Sequence, residues 1–324
     1  MRVLVVSNPR ATATTVRQRD VVVHALATDV KLKVEETANR GHAAALACRA
    51  MRNGVDVVVA LGGDGTVNEV INGLLTDGVH PGVPALAVVP GGSTNVFARA
   101  LGLPNDPVEA TSILMAALAG GRRREIGLGL ADDRWFAFTA GFGYDAAVVA
   151  AVEAHRRRGK TSTHPLYVRT AVKTFFQQPR HSPALTLEIA GGPTVSKLHM
   201  ALVTNSDPWT FLGNRPVSPT PDASFDTGLD VYARTRMGAP GILLSAASMV
   251  RSRQASTSSA AGPVSAVPPA RRALRVLGGY VAHDAHDFVL RASRPLPFQV
   301  DGDSLDERES IHFRSVPKAL RVYS

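Results

Sequence analysis

Three glycines fall within four residues at Gly62, Gly63 and Gly65, with Asp64 between them and Thr66 directly after. Glycine lets a backbone come close to a bulky polyanion and adopt positive φ. A helix starting at such a turn presents unpaired N–H groups and the positive end of its dipole, so a phosphate could lodge there without any side chain binding it. A second turn of the same kind, Pro90-Gly91-Gly92-Ser93-Thr94-Asn95, follows further along. No Gly-Lys-Ser/Thr follows either turn, so a P-loop lysine is not available. Nor does a Ser-His-Asp arrangement with a nucleophile elbow occur. His155, His164, His283 and His286 have no metal-ligand spacing, and His283-Asp284-Ala285-His286 reads more simply as a turn between two strands.

Just before the first turn, Val57–Leu61 is a continuous apolar run, the pattern of a strand buried on both faces. Val67, Val70, Ile71, Leu74 and Leu75 then recur at helical spacing. Strand, GGDGT and helix in that order favour phosphate over a plain glycine-rich connection. The second turn has the same frame: a strand over Ala85–Val89, then a helix through Val96, Phe97, Ala100 and Leu101. Val3–Val6 predicts a first buried strand that stops at Pro9, which places Asn8 at its carboxyl end, where open α/β sheets bind ligands. A helix over 17–27, a short strand over 31–35 and a helix over 42–52 complete repeated βα units, and 107–118 adds one more helix. Such units imply a parallel, wound sheet in which two glycine turns at neighbouring strand ends enclose a nucleotide-sized cleft.

Beyond Arg124 the rhythm changes. Short strand candidates at 135–140, 184–189, 197–204, 229–233, 273–276, 287–291 and 298–300, with helical pieces at 144–153 and 240–250, predict a mainly antiparallel region. The Ser-, Ala- and Pro-rich stretch 252–269 reads as a loop inside it. A chain of 324 residues suits two domains. Its 36 Lys+Arg against 27 Asp+Glu leave a formal charge of +9, which favours anionic partners: nucleic acid, acidic lipid or phosphorylated substrates. One cysteine, Cys48, allows no internal disulfide and suits a reducing compartment. The N-terminus has no signal-peptide pattern, and no stretch is long and apolar enough for a membrane-spanning helix, so the expectation is a soluble or at most peripheral protein.

In order along the chain stand GGDGTVNEV, PGGSTNVFARALGLP, AGFGYDA, DTGLDV and QVDGDSL. Together these blocks resemble the diacylglycerol kinase-like lipid kinases, which include the soluble bacterial diacylglycerol kinases and the sphingosine and ceramide kinases. The resemblance covers nearly the whole chain. It implies an α/β nucleotide-binding domain over 1–125, to which 315–324 returns, and a β-sandwich-like lipid-substrate domain over 126–314. Residue by residue it implies nucleotide contacts from Asn8, Thr37, Gly62, Gly63, Asp64, Gly65, Thr66, Asn68, Glu69, Gly92, Ser93 and Asn95. Asp64 would lie near the phosphates and Mg²⁺, and a second, structural Mg²⁺ would sit near Asp226-Thr227-Gly228, where a turn-forming role for Asp226 is an equal alternative. Asp301-Gly302-Asp303 resembles the family's Asp-Gly-Glu/Asp, which makes Asp303 the implied general base, one methylene shorter than the common Glu. Ser93 keeps the hydroxyl of the family's usual Thr, Val96 replaces a frequent Asp, and Arg10-Ala11-Thr12 replaces a glycine-bearing loop.

The implied activity is ATP-dependent transfer of the γ-phosphate to a lipid hydroxyl, first of all diacylglycerol to phosphatidic acid, with ATP and Mg²⁺ as cofactors. The implied partner is a lipid at a membrane surface, not nucleic acid, and the implied location is the cytoplasm or the inner membrane face. Arg122–Arg124 and the run 156–160 could lie against anionic lipid, and Phe175, Phe176 and the 209–212 stretch could line an acyl-chain site, although a solvated face and core packing are the commoner roles. Oligomeric state, a homodimer included, is left open. Three other readings share the motifs: a sphingosine or ceramide kinase, an NAD kinase with the same GGDGT turn, and a non-catalytic nucleotide- or lipid-binding regulator.

Overall fold

Strands built from unbroken Val, Leu and Ala runs need cover on both faces, and the first half of the chain supplies it with helices. A computed structural model of the protein describes residues 1–9, 11, 16–27, 31–157, 183–238, 241, 244, 247, 249–250 and 278–324. The chain forms two compact units, the first comprising Met1–Leu128, Asp133–Ala137 and Val316–Ser324, the second Gly129–Asp132 and Phe138–Ser315.

The first unit runs β1 (Arg2–Ser7), α1 (Val16–Leu26), β2 (Lys31–Glu36), α2 (His42–Arg52), β3 (Val57–Gly62), α3 (Asp64–Leu74), β4 (Ala85–Pro90), α4 (Val96–Ala100) and α5 (Pro107–Ala119), then β5 (Arg123–Ala131) and β6 (Arg134–Phe136). Its sheet is parallel in the order β2-β1-β3-β4. The chain's last residues add a further parallel pairing, Val322 and Tyr323 against Leu86 and Ala87. Val3, Val5, Val57, Val59, Leu61, Ala85, Ala87 and Val89 line one face and pack with Val22 and Leu26 of α1 and Leu114 and Ala117 of α5. Each fully buried Val or Leu of this kind contributes about 1.5–3 kcal/mol. Helices α2 and α3 pack closely together: a Cβ on Gly73 would overlap the carbonyl oxygen of Ala44. Asp106 starts α5 as its N-cap, accepting from the amides of Val108 and Glu109 at 2.9 Å each, with Pro107 in the first turn.

The second unit runs β7 (Thr139–Gly143), α6 (Tyr144–Arg157), β8 (Leu185–Ile189), β9 (Thr194–Leu198), β10 (Met200–Thr204), β11 (Thr210–Leu212), β12 (Arg215–Val217), β13 (Leu229–Arg234), β14 (Gly279–Ala285), β15 (Asp287–Val300) and β16 (Asp303–Tyr323), the last of which continues into the first unit. The pairings of β7, β8, β9, β10, β13, β14 and β15 with one another, of β15 with β16 and of β11 with β12 are antiparallel. Phe142, Phe298, Phe313 and Phe288 form a continuous aromatic core, edge-to-face at 6.1 and 6.3 Å and stacked at 5.1 Å. This is the expected mix of a parallel N-terminal sheet and an antiparallel C-terminal region.

Three strand readings need revision. The strand expected over 135–140 is two, because the amides of Phe138 and Thr139 turn to the side chain of Asp301. That over 197–204 also divides, with Lys197 in the left-handed region at φ 61° and His199 donating to the carbonyl of Arg234. Conversely, 287–291 and 298–300 are parts of one strand, β15, whose register against β16 shifts around Leu296, between Pro295 and Pro297, which have no N–H to donate. The strand expected at 273–276, the loop at 252–269, Arg10, Thr12, His164, Phe175 and Phe176 lie outside the described residues, as does most of the basic run at 156–160. Among the described residues no helix is long and apolar enough to cross a membrane.

Candidate nucleotide-phosphate site

The parallel register brings the carboxyl ends of the strands to one edge: Ser7 pairs with Glu36 and with Leu61, and Gly62 with Pro90. The two glycine turns therefore leave the sheet side by side. The amide of Gly91 donates to the carbonyl of Gly62 at 2.8 Å. A Cβ built on Gly92 would stand 2.7 Å from the Cα of Gly63, and one on Gly63 would stand 3.2 Å from the Cα of Gly92. The glycines are required here by this backbone-to-backbone approach. None of Gly62, Gly63, Gly65 and Gly92 has positive φ, so the conformational reason expected from the sequence does not apply. Gly62 is confined on its other side, where a Cβ would meet the Thr66 hydroxyl at 2.7 Å. Gly63 is the N-cap of α3, and its carbonyl accepts from the amides of Thr66 at 2.9 Å and Val67 at 3.1 Å.

Polar side chains knit this edge together. The amide of Asn8 donates to the carbonyl of Leu61 at 3.0 Å and its Nδ2 to Oγ1 of Thr66 at 3.2 Å. Thr37 sits one bond away, its amide donating to the carbonyl of Ser7 at 2.9 Å. Asn95, in the left-handed region at φ 50°, closes the second turn: its Oδ1 accepts from the amide of Gly92 at 2.8 Å, and its Nδ2 donates to the carbonyl of Gly92 at 2.7 Å and to Oδ1 of Asn105 at 2.8 Å. Ser93 is exposed within that turn.

Three residues of the first motif are occupied elsewhere. Both oxygens of Asp64 accept backbone amides at the start of α4, Val96 at 3.0 Å and Phe97 at 3.1 Å. Enclosure of this carboxyl pushes its pKa up, and the amides of Phe97 and Val96 pull it back down. Asn68, 0% exposed, donates to the carbonyl of Trp135 at 3.1 Å and accepts from the Arg134 guanidinium at 2.6 Å, which fastens β6 to α3. Glu69 caps α2, with Oε1 accepting from Gly41 at 2.8 Å and Oε2 from Ala43 at 3.1 Å. The site thus gathers Asn8, Gly62, Gly63, Asp64, Gly65, Thr66, Gly92 and Asn95, with Thr37 and Ser93 at its margin. Asn68 and Glu69 instead bind the neighbouring elements. The spacing of Asn68 and Asn72, which also donates to the carbonyl of Trp135 at 3.0 Å, was the one sequence signal of that anchor.

Asp303 and Asp226 belong to the second unit. Asp303 is half-buried and follows a two-residue hairpin turn, Asp301 at φ 47° and Gly302 at φ 83°, between paired Val300 and Asp303. Asp-Gly is the dipeptide that adopts two successive left-handed conformations at least cost. Oδ1 of Asp301 accepts from the amides of Phe138 and Thr139, at 3.0 Å each. Asp226 is exposed, its amide donating to Oγ of Ser224 at 3.2 Å. The neighbouring backbone is held by protein groups: Gly228 donates to Oδ1 of Asp284 at 2.6 Å, and Oδ1 of Asp230 accepts from the amide of Asp284 at 3.1 Å and lies 2.7 Å from Nδ1 of His283. The turn read over 283–286 is shorter than expected: His283, Asp284 and Ala285 belong to β14, and His286 alone separates it from β15. Among the described residues no three His, Cys, Asp or Glu are grouped to hold a metal ion.

Residues 2–129 match the family model of the diacylglycerol kinase catalytic domain. A curated diacylglycerol kinase of Staphylococcus aureus (strain JH9) is 40% identical over 96 residues, 30% of this chain. That match spans 28% of the relative's length, and the strain Newman protein matches to the same extent. A crystal structure of a diacylglycerol kinase from Bacillus anthracis str. Sterne superimposes with a TM-score of 0.68 at 18% identity, over 99% of this chain and 96% of that one. A second structure from the same organism gives 0.72 with the same coverage. At that identity the structures speak for the fold alone. Over residues 2–129 the chain is similar to the diacylglycerol kinase catalytic-domain family.

Proposed function

We propose that this protein is a lipid kinase that transfers the γ-phosphate of MgATP to a lipid hydroxyl, with diacylglycerol as acceptor and phosphatidic acid as product. The observation that carries the reading is the close approach of Gly63 and Gly92 at the carboxyl edge of a parallel sheet, inside the segment that matches the catalytic-domain family. The close packing of the two turns brings the N-terminus of α3 to this edge, and the positive end of a helix dipole is suited to a polyphosphate. Asn8 and Thr66 add a carboxamide and a hydroxyl at the same edge. Asp64 works indirectly, fixing α4 and the second turn against the first. The metal enters as part of the nucleotide substrate and neutralises phosphate charge.

Phosphoryl transfer asks the protein for placement and charge stabilisation more than covalent chemistry. In this reading Asp303 accepts the proton of the lipid hydroxyl as its oxygen forms a bond to the γ-phosphorus. The bond from that phosphorus to the β,γ-bridging oxygen breaks, and ADP leaves. An aspartate must stand within about 2.6–3.2 Å of the oxygen it deprotonates. Labelled ATP with a panel of lipid alcohols in mixed micelles tests the proposal. Transfer to diacylglycerol by the wild type, abolished in Asp303→Asn, supports it. Transfer to a sphingoid base or to NAD instead would reassign the substrate, and ATP binding with no transfer to any lipid would favour a regulator.

A further inference from the structure

Asp303 is carried by a turn whose geometry depends on a buried relay. Asp145, in the first turn of α6, is 5% exposed and Gln299, near the end of β15, is 1% exposed. Nε2 of Gln299 donates to Oδ2 of Asp145 at 2.9 Å, and Oε1 of the same carboxamide accepts from the amide of Gly302 at 2.9 Å. The ionised carboxylate can only accept and the Gly302 amide can only donate, so the carboxamide has one orientation that satisfies both. Space for the relay is cut into the facing strand. Gly141 pairs with Gln299 across β7 and β15, and a Cβ there would overlap Oδ2 of Asp145 and stand 2.7 Å from Nε2 of Gln299. The glycine and aspartate of the AGFGYDA block and the glutamine and glycine of the QVDGDSL block thus form one device. On the turn's other side, Asp301 is bonded to Phe138 and Thr139.

We propose that Asp145 is a positioning residue: acting through Gln299, it fixes Gly302 and so aims the carboxylate of Asp303. The proposal rests on the reading of Asp303 as the base. Removing the relay frees one side of the turn, and a base displaced by about 1 Å loses on the order of a hundredfold in rate.

The test compares Asp145→Ala, Gln299→Leu, their double mutant, Asp145→Asn and Asp303→Asn in full-length protein. Gln299→Leu is near in volume and removes both bonds, which keeps the test open if Asp145→Ala folds poorly. Asp145→Asn retains an accepting oxygen. Two readouts are taken: kcat and KM for ATP in the diacylglycerol assay, and hydrogen exchange at the Gly302 amide. Asp145→Ala and Gln299→Leu should each lower kcat by about 10- to 100-fold with KM for ATP unchanged. The double mutant should be no worse than the poorer single. Gly302 exchange should quicken about tenfold in both singles and stay slow in Asp145→Asn, which should also recover most of kcat. Wild-type kcat in Asp145→Ala and Gln299→Leu, multiplicative losses in the double mutant, or unchanged Gly302 exchange would each overturn the proposal. Full transfer by Asp303→Asn would instead overturn the base reading on which it stands, a result the other variants cannot produce.

Discussion

Gly63 and Gly92 have no side chain because each stands where the other's Cβ would go. The two distances rank the consequences: at 2.7 Å a backbone must move, whereas at 3.2 Å a few tenths of an ångström suffice. Gly92→Ala should therefore weaken ATP binding more than Gly63→Ala, a ranking that isothermal calorimetry measures directly. Asp64→Ala should cost about 1–3 kcal/mol of stability, because two backbone amides at the start of α4 lose a carboxylate acceptor. Chemical denaturation reads that loss. Asp145 sets a pH dependence. Burial raises its pKa to about 6, so folding favours the protonated form. The stability this confers is present below about pH 4 and is lost as pH rises through about 6, a change of about 3 kcal/mol. The stability difference between wild type and Asp145→Asn should shift against the wild type by that amount between pH 4 and pH 7 in urea titrations, and a flat difference would contradict it. At this scale the spacing of Gly62, Gly63 and Gly65 was legible as a strand-to-helix turn. The partnership with Gly92 was not, because it depends on the sheet placing β3 beside β4. Nor could the motif show that Asp64, Asn68 and Glu69 spend their side chains on α4, β6 and α2, since each bond spans distant sequence.

Helix α3 is the element that organises the first unit. Its N-terminus carries the glycine turn, Glu69 caps α2, Asn68 anchors β6, and Gly73 lets α2 approach to backbone distance. A methyl at Gly73 has nowhere to go but the Ala44 carbonyl, so Gly73→Ala should destabilise by about 1–3 kcal/mol through overpacking, despite the better helix propensity of alanine. Thermal melting checks the sign, which propensity alone would reverse. The βα units of this half were readable because apolar runs and helical periodicity are local signals. In the antiparallel half the joins were harder to read: a side chain from Asp301 ends one strand, and two prolines shift the register within another without breaking it. Neither event has a local pattern.

The whole molecule is basic, with a formal charge of +9, and Arg122–Arg124 are exposed in the first unit. A kinase acting on a bilayer lipid should use such charge at roughly 1 kcal/mol per residue near an anionic surface. Co-sedimentation with phosphatidylglycerol-containing vesicles should therefore weaken steeply with salt, and Arg122→Ala/Arg123→Ala/Arg124→Ala should weaken it further, by about fivefold per charge. Binding indifferent to salt would deny the electrostatic contribution. Charge and composition pointed to anionic partners without distinguishing among them; that choice rests on the catalytic-domain family.

Nucleotide affinity of Gly92→Val tests the central claim most directly. A valine there cannot coexist with the Cα of Gly63, so the paired glycine turns must separate, while the sheet beneath them, covered by α1 and α5, stays packed. Calorimetry with MgATP should show affinity reduced by more than about tenfold relative to wild type, alongside a cooperative thermal transition. Wild-type affinity in Gly92→Val would contradict a polyphosphate held where these two turns meet.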